Sequence, residues 1–241
     1  MLFAMWMGFL MQQMGFIENC DGSLIPLVPE GLKGVLFSPL LHGNLEHIIG
    51  NSVSIAALLF LLYQFYPKLA DHVFFWGWIS SGLILWLLPP VNFFGQAPVY
   101  TCIIGASGVV YMLAFFLFFS GIFRKDKKLL AVSLIVALYF GGLIWGIFPE
   151  ELFYKLDQPS KISWQAHLAG SAVGLSLALV FKNKHQEKKK KFIWEFPNYY
   201  SEKDDKLWQE YKENHPEHFE EMPQFKKEDE WSQLDEIRKK K

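Results

Sequence analysis

Three short polar clusters interrupt otherwise apolar text, and their residue types suit proton transfer and attack on a carbonyl carbon. The first is His42-Gly43-Asn44-Leu45-Glu46-His47-Ile48-Ile49-Gly50-Asn51. The second is Gly105-Ala106-Ser107-Gly108-Val109-Val110-Tyr111. The third is Ala166-His167-Leu168-Ala169-Gly170, with Gly174 one turn further on. A serine hydroxyl is a poor nucleophile until a base takes its proton, and histidine is the usual base. Ser107 and His167 are the candidate pair. His47 and Asn51 stand four residues apart, so on a helix they share a face. Both can donate hydrogen bonds to a developing oxyanion, alongside the backbone N–H of Ser107. Tyr111 lies four residues after Ser107, on the same helical face, where its ring can stack on His167. Gly105 and Gly108 let the chain bend and let another backbone approach. Gly170 and Gly174 make a small-xxx-small stripe suited to close helix packing. His42, five positions from His47, falls on another face; it is taken as a supporting residue of the site, with an interfacial residue as the plainer reading.

The elements that must carry these clusters are membrane spans. Residues 72–123 form a run of 52 without one Asp, Glu, Lys or Arg. Residues 183–241 invert the pattern, with 14 basic and 15 acidic side chains among 59 positions. A net charge of −1 gives no basis for nucleic-acid binding. A spanning helix needs about 20 apolar residues, since each rises about 1.5 Å across a core about 30 Å thick. The charge-free runs are Ile48–Tyr66, His72–Leu88, Tyr100–Phe123, Leu129–Pro149 and Ile162–Phe181. Met1–Ile17 adds a shorter sixth; it lacks the basic start and cleavage site of a signal peptide and reads as a retained helix. Pro89, Pro90, Asn92, Gly95 and Pro98 divide the long run in two. The expected fold is an all-α polytopic bundle of six spans over residues 1–182, with 183–241 as a charged C-terminal tail.

Lys and Arg in short loops set orientation. Lys68, Arg124, Lys125, Lys127, Lys128, Lys182, Lys184 and Lys188–Lys191 collect on one side, against Lys33, Lys155 and Lys161 on the other. Both termini are therefore expected in the cytoplasm, with loops 18–41, 89–99 and 150–161 facing out. Loop 18–41 is apolar, yet Pro26, Pro29 and Pro39 forbid one continuous helix, so it is expected to lie in the outer leaflet without crossing it. Counted along the spans, Asn51, Ser107 and His167 all fall roughly 8 to 12 Å below the outer surface. Polar groups at such depth are costly and ordinarily functional. No Asp or Glu lies within the third to sixth spans, so the histidine would work in a dyad, oriented by packing.

Each cluster alone has a plainer reading. Gly-x-Ser-Gly in a membrane helix ordinarily serves packing, and a lone intramembrane histidine often serves as an interhelical donor. Taken together, the clusters resemble the rhomboid family of intramembrane serine proteases. The resemblance rests on His42-x4-His47-x3-Asn51, on Gly105-x-Ser107-Gly108 followed by Tyr111, and on Ala166-His167 with Gly170 and Gly174. It covers about residues 1–182, with the motifs on the second, fourth and sixth spans in the family's order. It implies Ser107 as nucleophile, His167 as base, His47 and Asn51 as oxyanion donors, no metal or other cofactor, and single-span membrane proteins as substrates. The first outer loop lacks the Trp-Arg pair many bacterial members carry, and the first span is shorter than the family leads one to expect. A proton-coupled transporter fits less well, because carboxylates within spans and inverted repeats are missing. A rhomboid-like client binder that does not cut would not require both Ser107 and His167. In the tail, Lys188–Lys191 with Phe192, Ile193, Trp194 and Phe196 suit an anionic inner leaflet or a cytoplasmic partner. Ser201 reads as a helix cap and Pro216 as a helix end. Cys20 and Cys102 are too few for a disulfide scaffold and make no metal site.

Overall fold

The computed structural model describes residues 1–18, 20–89, 102–149, 163–184 and 201–220. The chain divides into two compact units, Met1–Gln186 and Glu187–Lys241. In the first unit α1 (Leu2–Gln13) leads into a folded loop containing the short helix α2 (Gly34–Phe37) between two 3-10 turns. Then follow α3 (Leu45–Phe65), α4 (Ala70–Leu87), α5 (Ser107–Arg124), α6 (Lys127–Phe140) continued by a 3-10 stretch Gly141–Ile147, and α7 (Trp164–Phe181).

Local chemistry sets these ends. Asn44 caps α3, its side-chain oxygen accepting from the His47 amide at 2.8 Å. Asp126 caps α6 through the amides of Lys128 and Leu129, at 2.9 and 3.2 Å. Ser163 caps α7 through Ala166. Helix α5 stops where Lys125 turns left-handed at φ 53°.

Four helical stretches among the described residues are long and apolar enough to cross a membrane: Leu45–Phe65, Ser107–Arg124, Lys127–Ile147 and Trp164–Phe181. Of the other two expected spans, α1 has only 12 residues and α4 carries Asp71 and His72 in its first turn. Helix α5 is the hub, packing against α3, α4, α6 and α7. Its Met112, Phe116 and Leu117 are buried with Met5, Ile48, Ile55, Leu58 and Leu62. At the basic end, the Arg124 guanidinium donates to the carbonyls of Phe181 and Lys184 and ties α5 to the end of α7.

The loop after α1 is folded rather than loose. Trp86 donates its indole N–H to the Val28 carbonyl and Trp78 to that of Val35, which anchors the loop to α4. The prolines break it as expected, since no helix in it exceeds five residues. Loops 89–99 and 150–161 and the segment Lys188–Phe196 lie outside the described residues, Pro89 excepted.

In the second unit α8 (Glu202–Asn214) is capped by Ser201 and ends before Pro216, and α9 (Glu217–Glu220) follows. Trp208, Tyr211 and Phe219 pack ring on ring, and His215, Glu217 and His218 gather on the exposed side.

Candidate active site

Ser107 is the first residue of α5, where the sequence had suggested a place seven residues into a span beginning at Tyr100. Gly105 takes φ +109°, a conformation that side-chain-bearing residues avoid, so the helix cannot begin earlier. The chain reaches Ser107 as a non-helical segment, Cys102–Ala106, and its apolar composition made that segment look like span in the sequence. One consequence is chemical. The amides of the first helical turn have no intrahelical acceptor, and the helix dipole puts partial positive charge there. The Ser107 N–H is thus a donor beside its own hydroxyl.

His167 sits one turn into α7 and is buried. Its Nε2 lies 3.0 Å from Ser107 Oγ, and its Nδ1 lies 2.9 Å from the carbonyl oxygen of Gly146. A carbonyl only accepts, so Nδ1 carries the proton. In the neutral ring Nε2 then accepts from the serine hydroxyl, the arrangement a general base needs. Gly146 is the contact the sequence reading missed. Any residue offers a carbonyl, and only the cluster Gly141, Gly142 and Gly146 hinted at close approach. A Cβ on Gly146 would overlap the Tyr111 hydroxyl and lie 3.1 Å from His167 Nδ1. The Tyr111 ring lies flat on the imidazole, centroids 4.1 Å apart and planes 8° from parallel.

Glycine makes the approach of α5 and α7 possible. A Cβ on Gly108 would lie 3.2 Å from the Ala166 carbonyl oxygen. One on Gly170 would overlap the Gly108 carbonyl oxygen, and one on Gly174 would come within 2.9 Å of the Phe116 nitrogen. The small-residue stripe therefore faces the serine helix.

His47 and Asn51 meet the site at Gly105. A Cβ there would lie 2.7 Å from His47 Nε2 and 3.8 Å from Asn51 Nδ2. The Asn51 amide nitrogen is buried and makes no hydrogen bond to the described residues. A buried donor without an acceptor is costly, and such groups ordinarily have a use. His42 is 1% exposed, so it belongs behind the site and not at a water interface. Its ring packs edge-on against His47 at 5.0 Å, and its amide donates to the Gln12 side chain of α1. Burial, helped by neighbouring His47, lowers its pKa to about 4. Glu46 is exposed in the first turn of α3, where an acid suits the helix dipole.

The sequence analysis did not anticipate three further contacts. Cys20 and Cys102 are joined by a disulfide across 82 residues of sequence. Leu24 and Ile103 exchange two backbone hydrogen bonds of 2.9 Å, and Gly105 donates to the Ser38 carbonyl at 2.8 Å.

Residues 29–184 match the Rhomboid domain. Uncharacterized proteins of Mycobacterium bovis and Mycobacterium tuberculosis are each 35% identical to this chain over 173 residues, 67% of either length. One of Mycobacterium leprae is 30% identical over 149 residues, covering 61% of this chain and 55% of its own.

Proposed function

The chain belongs to the rhomboid family of multi-pass membrane proteins, and on that premise we propose that it is an intramembrane serine endopeptidase. The observation that carries this reading is the 3.0 Å contact between Ser107 Oγ and His167 Nε2, with the Gly146 carbonyl fixing the tautomer. His167 takes the hydroxyl proton as Ser107 attacks the scissile carbonyl. The negative oxygen that results is met by the Ser107 N–H, the Asn51 amide and His47 Nε2–H. His167 then gives its proton to the leaving amine. A water repeats the sequence on the acyl-enzyme and frees Ser107. Tyr111 holds the imidazole by stacking, and the Gly146 carbonyl serves where a carboxylate would complete a triad. No cofactor enters the mechanism.

Substrates are single-span membrane proteins. A peptide bond inside a helix is covered by its own hydrogen bonds, so cutting requires local unwinding. Gly, Ala or Pro near the outer end of the substrate span favours it. In this reading residues 1–182 form six spans in the cell (inner) membrane. Both termini are cytoplasmic, and the 183–241 tail rests on anionic lipid or a cytoplasmic partner. Disulfides persist in oxidising compartments. The Cys20–Cys102 bond therefore supports the outward placement that the lysine distribution suggests.

The test is cleavage of a single-span reporter in proteoliposomes. Wild type cuts, Ser107→Ala and His167→Ala do not, and Tyr111→Phe retains most activity because stacking needs only the ring. A Ser107→Ala protein that still cuts would remove the reading.

A further inference from the structure

The segment that delivers Ser107 to the site is itself not helical. Between Cys102 and Ala106 it is held by the folded outer loop. The disulfide fixes Cys102 to Cys20. One residue on, Ile103 pairs with Leu24 through two backbone hydrogen bonds of 2.9 Å. Two residues further, the Gly105 amide donates to Ser38 at 2.8 Å, at the point where φ is +109°. Cys20 is itself tied to Leu24's neighbour, its carbonyl accepting from both the amide and the hydroxyl of Ser23. Gly34 lies flush against the Leu24 backbone, so this end of the loop has little room to adjust.

We propose that the Cys20–Cys102 disulfide is a positioning element for the catalytic serine and makes its reactivity responsive to dithiols; this rests on the serine-hydrolase reading above. Cys20 is exposed and Cys102 half-buried, so an external dithiol can reach the bond. One thiolate of the dithiol attacks the Cys20 sulfur and expels Cys102 as thiolate. The second closes the dithiol into its own disulfide and releases Cys20. Two electrons and two protons pass from the reagent to the protein, and the chain gains two thiols.

Reduction breaks none of the three backbone hydrogen bonds directly, but without the cross-link they alone hold the segment and open more often. The freed segment samples conformations in which Gly105 has left Ser38. In those states the Ser107 N–H and the hydroxyl are out of register with Asn51 and His167. Displacement of reacting groups by about 1 Å can cost about 100-fold in rate. An ensemble that is partly displaced is expected to lose about tenfold.

The experiment measures the rate at which a small fluorophosphonate phosphonylates the full chain in detergent, with loss of fluoride, a reaction that needs no substrate docking. The protein is compared oxidised, reduced by excess dithiothreitol, and reoxidised, well below its melting temperature. Maleimide titration counts the thiols, which are the chain's only two. The proposal predicts about tenfold slower phosphonylation on reduction and recovery on reoxidation. A Cys20→Ser/Cys102→Ser variant is expected to react at the reduced rate and to ignore the reagent. A merely structural bond would lower the melting temperature and leave the rate unchanged. A protein that is phosphonylated equally fast before and after two thiols have appeared overturns the proposal and leaves the hydrolase reading standing. An oxidised protein that never reacts overturns both.

Discussion

Gly170→Ala isolates the physical requirement on which the site depends, the close approach of α5 and α7. The added Cβ would overlap the Gly108 carbonyl oxygen, lie 3.0 Å from its carbon and 3.3 Å from the Met112 nitrogen. These are backbone atoms inside a helix and cannot swing aside as a side chain would. Relief to ordinary contact requires the helices to part by about 1 Å. Ser107 and His167 sit on those two helices, so their 3.0 Å contact opens to about 4 Å, beyond hydrogen-bond reach. A misplacement of that size costs about 100-fold. The assay is initial-rate cleavage of a single-span reporter in proteoliposomes at matched protein, with melting temperature followed in parallel. Gly50→Ala is the control, because a Cβ there meets nothing within 4 Å. It removes a helix-interior glycine, which is worth about 0.5–1 kcal/mol to α3, and leaves the rate alone. A Gly170→Ala enzyme within twofold of wild type would refute the reasoning, as would a Gly50→Ala enzyme equally impaired.

Asn51→Ala removes the buried amide that has no acceptor among the described residues. It should lower the turnover rate about 100- to 1,000-fold with the melting temperature unchanged or raised; an unchanged rate would take Asn51 out of the oxyanion site. Gly146→Ala should slow cleavage because its Cβ overlaps the Tyr111 hydroxyl. Adding Tyr111→Phe removes the overlapped atom and should recover part of the loss, so an additive double variant would contradict the packing account. His42 gives a signature in pH. Its folded pKa of about 4 lies below the ordinary 6.5, so the unfolded chain takes up a proton that the folded chain refuses. Its contribution to stability is full above pH 6.5 and is lost as pH falls toward 4. Melting curves of wild type and His42→Gln should diverge in that window, the variant showing the shallower decline.

Much of this architecture was written in the hydropathy and charge of the chain. The 52-residue charge-free run, split by Pro89 and Pro90, announced two helices, and polar residues stranded in apolar text announced the site. Helix starts were less legible. Gly105 and Ala106 are as apolar as a span, and only a backbone angle of +109° separates them from α5. The depth counted for Ser107 took a helix from Tyr100, whereas α5 begins at Ser107 itself and Asn51 is the seventh residue of α3. The Gly146 carbonyl was invisible because a backbone acceptor leaves no mark on residue type. The chain's two cysteines both fall on the outward side of the expected topology, but separation in sequence says nothing about proximity in space, so their pairing could not be read from it. His42, taken as a supporting residue or more plainly an interfacial one, precedes α3, where helical spacing does not apply, and is buried against His47.

The most direct measurement of the central claim is site-resolved labelling. The full-length protein in detergent is treated with a fluorophosphonate, digested and mapped by mass spectrometry, beside Ser107→Ala and His167→Ala. The account predicts one phosphonylated residue, Ser107, with labelling abolished in the first variant and strongly slowed in the second. Modification at another serine, or undiminished reaction without the imidazole of residue 167, would contradict it.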